Sequence, residues 1–329
     1  MRKLALSDEI LLKVDKAARY IGGEVNSVMK DKNEVEIRFA MCFPDVYEIG
    51  MSNLGMMILY NMFNQREDVW CERLFSPWPD LDKVMREQNI PLFALESQEP
   101  IRDFDFLGIT LGYEMCYTNI LQVLDLSGIP LKSADRGEDF PIVIGGGACA
   151  YNPEPLAPFF DLFYIGEGET VYDALFDAYK ANKKAGGSRR DFLLAAAKIP
   201  GIYVPSLYEV TYKKDGTIAS FAPTEAGVPE KVQKQLIIDM EKEYRAVEAP
   251  VVPHIKATQD RVTLEIQRGC IRGCRFCQAG MIYRPTRERD VETLKESARV
   301  MLKNTGHEEI SLSSLSSSDY SQLKELVNF

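Results

Sequence analysis

Short apolar runs at 35–42, 69–74, 92–95, 106–111, 142–144 and 162–165 alternate with helical patterns at 53–64, 80–88, 116–127 and 169–180. The stretch Pro141, Ile142, Val143, Ile144 offers no polar position to either face, so both faces must be covered. Strands of this kind separated by helices predict an α/β domain with a doubly wound, parallel sheet. Ahead of it, the amphipathic stretch 7–20 reads as a helix capped by Ser7 or Asp8.

The alternation stops at 182–190, a polar segment containing Gly186 and Gly187 that reads as a boundary. Beyond it, 202–212 and 218–221 flank Asp215-Gly216, the signature of a hairpin, and Pro223, Pro229, Pro250 and Pro253 follow. A strand at 262–267, a helix at 291–303 and a strand at 309–312 then restore the βα rhythm. The expected domains are an N-terminal extension (1–33), an α/β domain (34–185), a connector with a hairpin (186–260) and the start of a (β/α) barrel (261–329). At roughly 30 residues per unit the last segment supplies about two units, which cannot close a barrel, so the polypeptide is expected to continue beyond Phe329.

The 329 residues carry a net charge of −10, but 261–329 holds 11 Lys+Arg against 9 Asp+Glu, so the acidity lies upstream. Such a surface disfavours non-specific binding to nucleic acid or anionic lipid and leaves room for a specific basic groove. The longest uncharged run, 49–65, carries Ser52, Asn53, Asn61 and Asn64, so no membrane span is expected. The first residues lack the apolar core and cleavage site of a signal peptide, and a cytoplasmic location is expected.

Seven cysteines argue against a disulfide framework. Cys42, Cys71, Cys116 and Cys149 are scattered through apolar stretches and read as small buried hydrophobes. Cys270, Cys274 and Cys277 stand together at the end of a strand, in Cys-x3-Cys-x2-Cys spacing. Three thiolates on one short loop can hold three corners of a [4Fe-4S] cluster and leave the fourth iron open to a ligand. The competing reading is zinc, which in a structural site takes four ligands, and the only histidines are His254 and His307. Arg261, Arg268, Arg272, Arg275, Arg284, Arg287 and Arg289 face only Glu265 and Glu288 within 261–289, a local excess of positive charge suited to an anionic cluster or to a solvated basic surface.

With Phe276 just before the third cysteine, this motif resembles that of the radical S-adenosylmethionine (SAM) superfamily. The resemblance implies that Cys270, Cys274 and Cys277 bind a [4Fe-4S] cluster, and that Phe276, Gly280, Ser313 and Ser314 lie against SAM. Ser313 and Ser314 equally suit a Ser-rich turn capping a helix near Asp319. Reductive cleavage of SAM to a 5′-deoxyadenosyl radical would follow, with an electron donor such as flavodoxin or ferredoxin and a substrate that the sequence does not name.

Upstream, the loops 45–55 (DVYEIGMSNLG), 145–155 (GGGACAYNPEP) and 165–169 (IGEGE) fall at the C-terminal ends of expected strands, where open α/β sheets place ligands. Followed by the triple-cysteine segment, they resemble the flavodoxin-like cobalamin-binding domain fused to many radical SAM enzymes, and the whole chain resembles the front part of an uncharacterised bacterial family of such fusions. The implied cobalamin contacts are Asp45, Glu48, Met51, Ser52, Asn53, Gly145, Gly146, Gly147, Gly166, Glu167 and Gly168. One departure stands out: where such domains carry histidine as lower cobalt ligand, this chain has Asn53. That fits both a corrinoid without a protein imidazole and a domain that has lost cobalamin. Besides a cobalamin-associated radical SAM enzyme, for which methyl transfer is one expected outcome, two readings stay open: a corrinoid-binding or substrate-docking module without activity of its own, and an RNA-modifying enzyme.

Overall fold

A computed structural model describes residues 3–329. Six strands form the central sheet: β1 (Ile37–Phe43), β2 (Val69–Phe75), β3 (Phe106–Thr110), β4 (Ile142–Gly146), β5 (Leu162–Tyr164) and β6 (Ile202–Tyr203). Their order is β2-β1-β3-β4-β5-β6. The first five are parallel and β6 runs antiparallel to β5. Helices α1 (Asp8–Leu11), α2 (Tyr47–Gly50), α3 (Leu54–Asn64), α4 (Pro79–Gln88), α5 (Tyr117–Leu126), α6 (Tyr172–Lys184) and α7 (Arg189–Ala196) accompany it. Every residue of β1 and β2 is buried, as a sheet covered on both faces demands.

Two cores follow from that covering. On one face Phe39 stacks on Phe106 and meets Phe63 and Phe176 edge-on. The other face packs Cys42, Leu74, Leu107, Ile109 and Val143 against Leu81, Ile120 and Leu124. The charged residues inside the strands are neutralised in place: Arg73 pairs with Glu24 at 2.7 Å and Glu96 at 2.6 Å, and Arg38 pairs with Glu72 at 2.6 Å.

Three expectations need correction. The helix anticipated over 7–20 lasts one turn, Asp8–Leu11, capped by Ser7; farther on, Lys16 adopts a left-handed conformation (φ 51°), and Lys16 and Arg19 reach Glu48. The apolar run 92–95 is buried but is not a strand. Flanked by Pro91 and Pro100, it makes a single bridge, Phe93 to Pro100, and only the Leu95 amide reaches the edge of β2, at Arg73 O. The run 202–212 divides at Pro205: Ile202 and Tyr203 join the sheet, and β7 (Tyr208–Tyr212) pairs with β8 (Ile218–Pro223) in the hairpin that Asp215-Gly216 announces.

Residues 224–260 form an extended strap that bridges Gly166 through Gln235 and Val25 through Val252. After it, β9 (Val262–Glu265) pairs in parallel with β12 (Ile310–Ser313), with β10 (Gln267–Arg268) and β11 (Arg287–Glu288) forming a short antiparallel pair between them. Helices α8 (Ala279–Ile282), α9 (Val291–Thr305) and α10 (Leu323–Val327) complete this part. Asp290 caps α9 by accepting from the amides of Glu292 and Thr293, and Leu294, Ala298 and Met301 pack on Val262 and Leu264 as a third, small core. Among the described residues no helix is long and apolar enough to cross a membrane.

Candidate functional site

A cavity of about 530 Å³ opens at the C-terminal ends of the central strands, where the parallel sheet directs its loops. Its apolar wall comes from Phe39, Met41, Ile109 and Ile144 of the sheet with Ile58 and Leu59 of α3. Its polar wall comes from the opposite end of the sequence: Thr263 and Glu265 of β9, Arg268, Tyr283 and Ser313. The cavity is therefore built jointly by the sheet and the β9–β12 unit.

Of the residues anticipated as cobalamin contacts, Ser52, Asn53, Gly146, Gly147, Gly166, Glu167 and Gly168 line this cavity. Asp45, Glu48, Met51 and Gly145 do not. Asp45 accepts the Tyr113 hydroxyl at 2.5 Å, and Gly145 is buried within β4. Glu48 is held by Arg19 (3.0 and 2.9 Å) and Lys16 (2.9 Å). Burial resists its ionisation, yet those hydrogen bonds bring its pKa down to about 2. Met51 lies behind the loop, its Sδ accepting from Arg73 at 3.1 Å. Asn53 caps α3, its Oδ1 accepting from the Met56 amide at 2.8 Å.

The acidic loop after β5 reaches across to the arginines. Glu167 receives both terminal nitrogens of Arg287, at 2.8 and 2.7 Å, and lies 3.2 Å from Arg268. Arg268 also binds Glu169 at 2.6 Å and Glu265 at 2.9 Å, and its guanidinium lies over the Tyr244 ring. Burial raises the Glu167 pKa, but the hydrogen bonds from Arg287 and the charges of Arg268 and Arg287 outweigh it and hold the carboxyl below its usual range. Glu167 also accepts from the Ile237 amide at 3.0 Å, and Gln235 bonds the same loop through backbone contacts with Ile165 and Glu167. Gly166 makes this approach feasible. Its φ is +143°, and a Cβ there would lie 2.2 Å from Gln235 O.

These contacts correct the sequence-based view of the arginine cluster. Arg268 and Arg287 are neutralised by carboxylates about a hundred residues upstream, Arg272 is paired with Asp319, and Arg289 is buried against Tyr244 with its guanidinium 4.3 Å from the ring centroid. Arg261 lies 3.8 Å from Glu309. The positive charge tallied within 261–289 is thus largely consumed in holding the strap, the sheet and the β9–β12 unit together.

The three cysteines sit on the excursion between β10 and β11, and Arg268 before them and Tyr283 after α8 both line the cavity. Gly269, at φ +83°, closes its base, since a Cβ there would lie 2.6 Å from Pro285 O. Cys270, Cys274 and Cys277 are unpaired and Cys274 is exposed. Among the described residues no three His, Cys, Asp or Glu side chains are gathered closely enough to clasp a metal ion, so the loop presents its thiols without converging them. The donor set still suits a cluster. The amides of Arg272 and Gly280 donate to the sulfurs of Cys270 and Cys277 at 3.4 and 3.3 Å, the kind of hydrogen bond that metal-ligating sulfurs accept. No fourth ligand for zinc comes from His254, whose ring bonds Gly22 O at 3.2 Å.

Phe276 is almost fully exposed, at 92%. Gly280 is buried at the start of α8. Ser313 lines the cavity, whereas the Ser314 hydroxyl is 2.8 Å from Ser317 Oγ and accepts from the Ser316 amide at 3.2 Å, in the turn that leads to Asp319.

Residues 55–205 match the family model described as radical SAM proteins, N-terminal, and residues 264–329 match that of the radical SAM superfamily. The chain belongs to the radical SAM superfamily. Members of this superfamily are enzymes whose cofactors are a [4Fe-4S] cluster and SAM. The chain is 27% identical over 291 residues to an uncharacterised protein of Methanocaldococcus jannaschii, an overlap of 88% of this chain and 52% of that protein. It thus spans about half the length of the curated relative it matches. Two structures of the radical SAM methyltransferase TsrM from Kitasatospora setae are similar to it. One, with tryptophan substrate and a SAM analogue, gives TM-score 0.46 at 14% identity over 88% of this chain and 50% of that one. The other, with cobalamin and a [4Fe-4S] cluster, gives 0.48 at 13% identity over 89% and 50%.

Proposed function

We propose that the protein is a radical SAM enzyme in which Cys270, Cys274 and Cys277 hold the [4Fe-4S] cluster, and in which the large cavity receives a corrinoid beside it. The observation that carries this reading is the shared wall: Arg268 and Tyr283, which bracket the cysteine loop, line the same cavity as the glycine loops of a sheet whose first five strands run 2-1-3-4-5, the flavodoxin-like order. When bound, the cluster supplies the electron that splits SAM into methionine and a 5′-deoxyadenosyl radical, and a corrinoid would supply a methyl group for transfer.

The chain's own residues have simpler tasks. Arg272, tied to Asp319, fixes one side of the cysteine loop against the segment after β12. Ser313 brings a hydroxyl to the cavity for the amino group of SAM, Phe276 offers a ring face to its adenine, and Gly280 leaves room beside Cys277. Ser52, Asn53, Gly146, Gly147, Gly166, Glu167 and Gly168 would surround the corrinoid, with no imidazole among the residues lining the cavity. A small reductant protein would supply the electron.

Anaerobic reconstitution with iron and sulfide, followed by Mössbauer and EPR spectroscopy, tests the reading. A four-iron signal and 5′-deoxyadenosine formation from SAM and dithionite are expected. A protein that takes up zinc and never a four-iron cluster would overturn it. Hydroxocobalamin titration followed by visible absorption tests the corrinoid separately.

A further inference from the structure

Behind the loop that follows β1 lies a second cavity, of about 170 Å³, between α3, the N-terminal arm and the strap. Met51, Met56 and Met57 line it together with Tyr60 and Arg73. Its polar side chains are already engaged. Arg73 is held by Glu24, Glu96 and Met51 Sδ, and the Tyr60 hydroxyl lies between the Val28 amide and Glu96. Asn26 and Asn61 donate to backbone carbonyls of Pro250, Asn304 and Ala246. Among the described residues none of its wall atoms is a buried polar group left without a partner.

The pocket opens to solvent beside the exposed Ala249, but its polar side chains are engaged by protein partners and the rest of its wall is apolar, so water within it has few groups to bond and is readily displaced by an apolar guest. Enclosed apolar cavities near 150 Å³ take up benzene or xenon. Methionine, unbranched and polarisable, suits a wall that adapts to differently shaped apolar guests. We infer that this cavity is a binding site for a small neutral apolar group, of the size of benzene or a short branched alkyl chain. The site does not depend on the corrinoid reading. A narrow cavity of about 30 Å³, walled by Met51, Met57, Ser52 and Leu54, lies between it and the large cavity, so the guest is either a separate molecule or the apolar end of a ligand held in the large one.

The test uses protein carrying ¹³C-methyl methionine, titrated with benzene and read by NMR. Saturable shifts of the Met51, Met56 and Met57 methyls are expected, with none at Met115, which is 86% exposed. Met57→Phe should weaken the response at least tenfold. Ala249→Trp, from an exposed strap position that also lines the cavity, should do the same should Met57→Phe fail to fold. Displacement of benzene by hydroxocobalamin would identify the apolar end of a large-cavity ligand, and its persistence a separate guest. No saturable shift, an equal shift at Met115, or an unchanged response in Ala249→Trp would overturn the inference.

Discussion

The Glu167 carboxylate receives Arg287 through two parallel hydrogen bonds of 2.8 and 2.7 Å, across 120 residues of sequence. Together with the Arg268–Glu169 pair at 2.6 Å it ties the loop after β5 to the cysteine-bearing segment. The Glu167 and Arg287 side chains are both largely buried, and among the described residues Arg287 has its ion pair with Glu167 alone, so losing the carboxylate strands the arginine's charge, whereas Glu167 without Arg287 keeps Arg268 at 3.2 Å. Glu167→Gln should therefore destabilise the protein by about 3–5 kcal/mol, and Arg287→Met by less. The double substitution should cost less than the sum of the singles, because neither charge is then left alone. Urea denaturation of the four proteins measures both quantities.

The same loop depends on Gly166. An alanine there would carry its Cβ into the Gln235 carbonyl while holding an unfavourable φ, a cost of at least about 1–3 kcal/mol. Since the backbone bonds between Gln235 and this loop pin the strap, the local consequence should exceed the global one. Gly166→Ala is expected to speed limited proteolysis within 224–260 while the sheet stays protected. Cleavage sites read by mass spectrometry would show whether the strap is the part released.

Much of this arrangement was legible from residue order. Fully apolar runs such as 142–144 specify a covered parallel sheet, and the tight spacing of Cys270, Cys274 and Cys277 sets their loop apart from the scattered, buried cysteines. The strand ends marked the loops 45–55, 145–155 and 165–169, and the resemblance to cobalamin-binding domains singled out Ser52, Gly146, Gly147 and Gly168 in them, which line the cavity. Apart from Ser313, the polar wall was not legible. Thr263, Glu265, Arg268 and Tyr283 enter the cavity only because the strap folds the β9–β12 unit over the sheet, and no local pattern encodes that return. The pairing of Glu167 and Glu169 with Arg268 and Arg287 left only a faint trace, an acidic loop in one half and an arginine surplus in the other. The run 92–95 shows the converse: its apolarity reports burial, while strand formation was decided by the prolines at 91 and 100.

Glu48 anchors the N-terminal arm through Arg19 and Lys16, with its pKa brought down to about 2 from an ordinary 4.5. A carboxyl depressed on folding contributes stability in full above its unfolded value and loses it as pH falls toward the folded one. This contribution should therefore be intact at pH 6 and fade between about pH 4.5 and 2. Glu48→Gln should lower stability at pH 6, and its difference from the parent protein should shrink across that window. Thermal melts at stepped pH would reveal the convergence, and a constant gap would assign Glu48 no part in it.

The seven cysteines divide by environment, and that division makes a sharp prediction. Burial holds the thiols of Cys42 and Cys71 far above their ordinary pKa, so they stay protonated at neutral pH and are poor metal ligands. Their replacement by alanine removes a small buried group and should cost about 1–2 kcal/mol while leaving iron uptake unchanged. Cys270, Cys274 and Cys277 stand on an exposed to half-exposed loop with no packing role to lose. Alanine at any of them should leave the melting temperature of the apoprotein nearly unchanged yet abolish four-iron reconstitution, because a cubane held at two corners has lost a third of its protein ligands. Iron and sulfide content after anaerobic reconstitution, compared across the five single variants, decides the matter. Full iron loading of Cys274→Ala, or loss of loading in Cys42→Ala, would place the metal chemistry elsewhere.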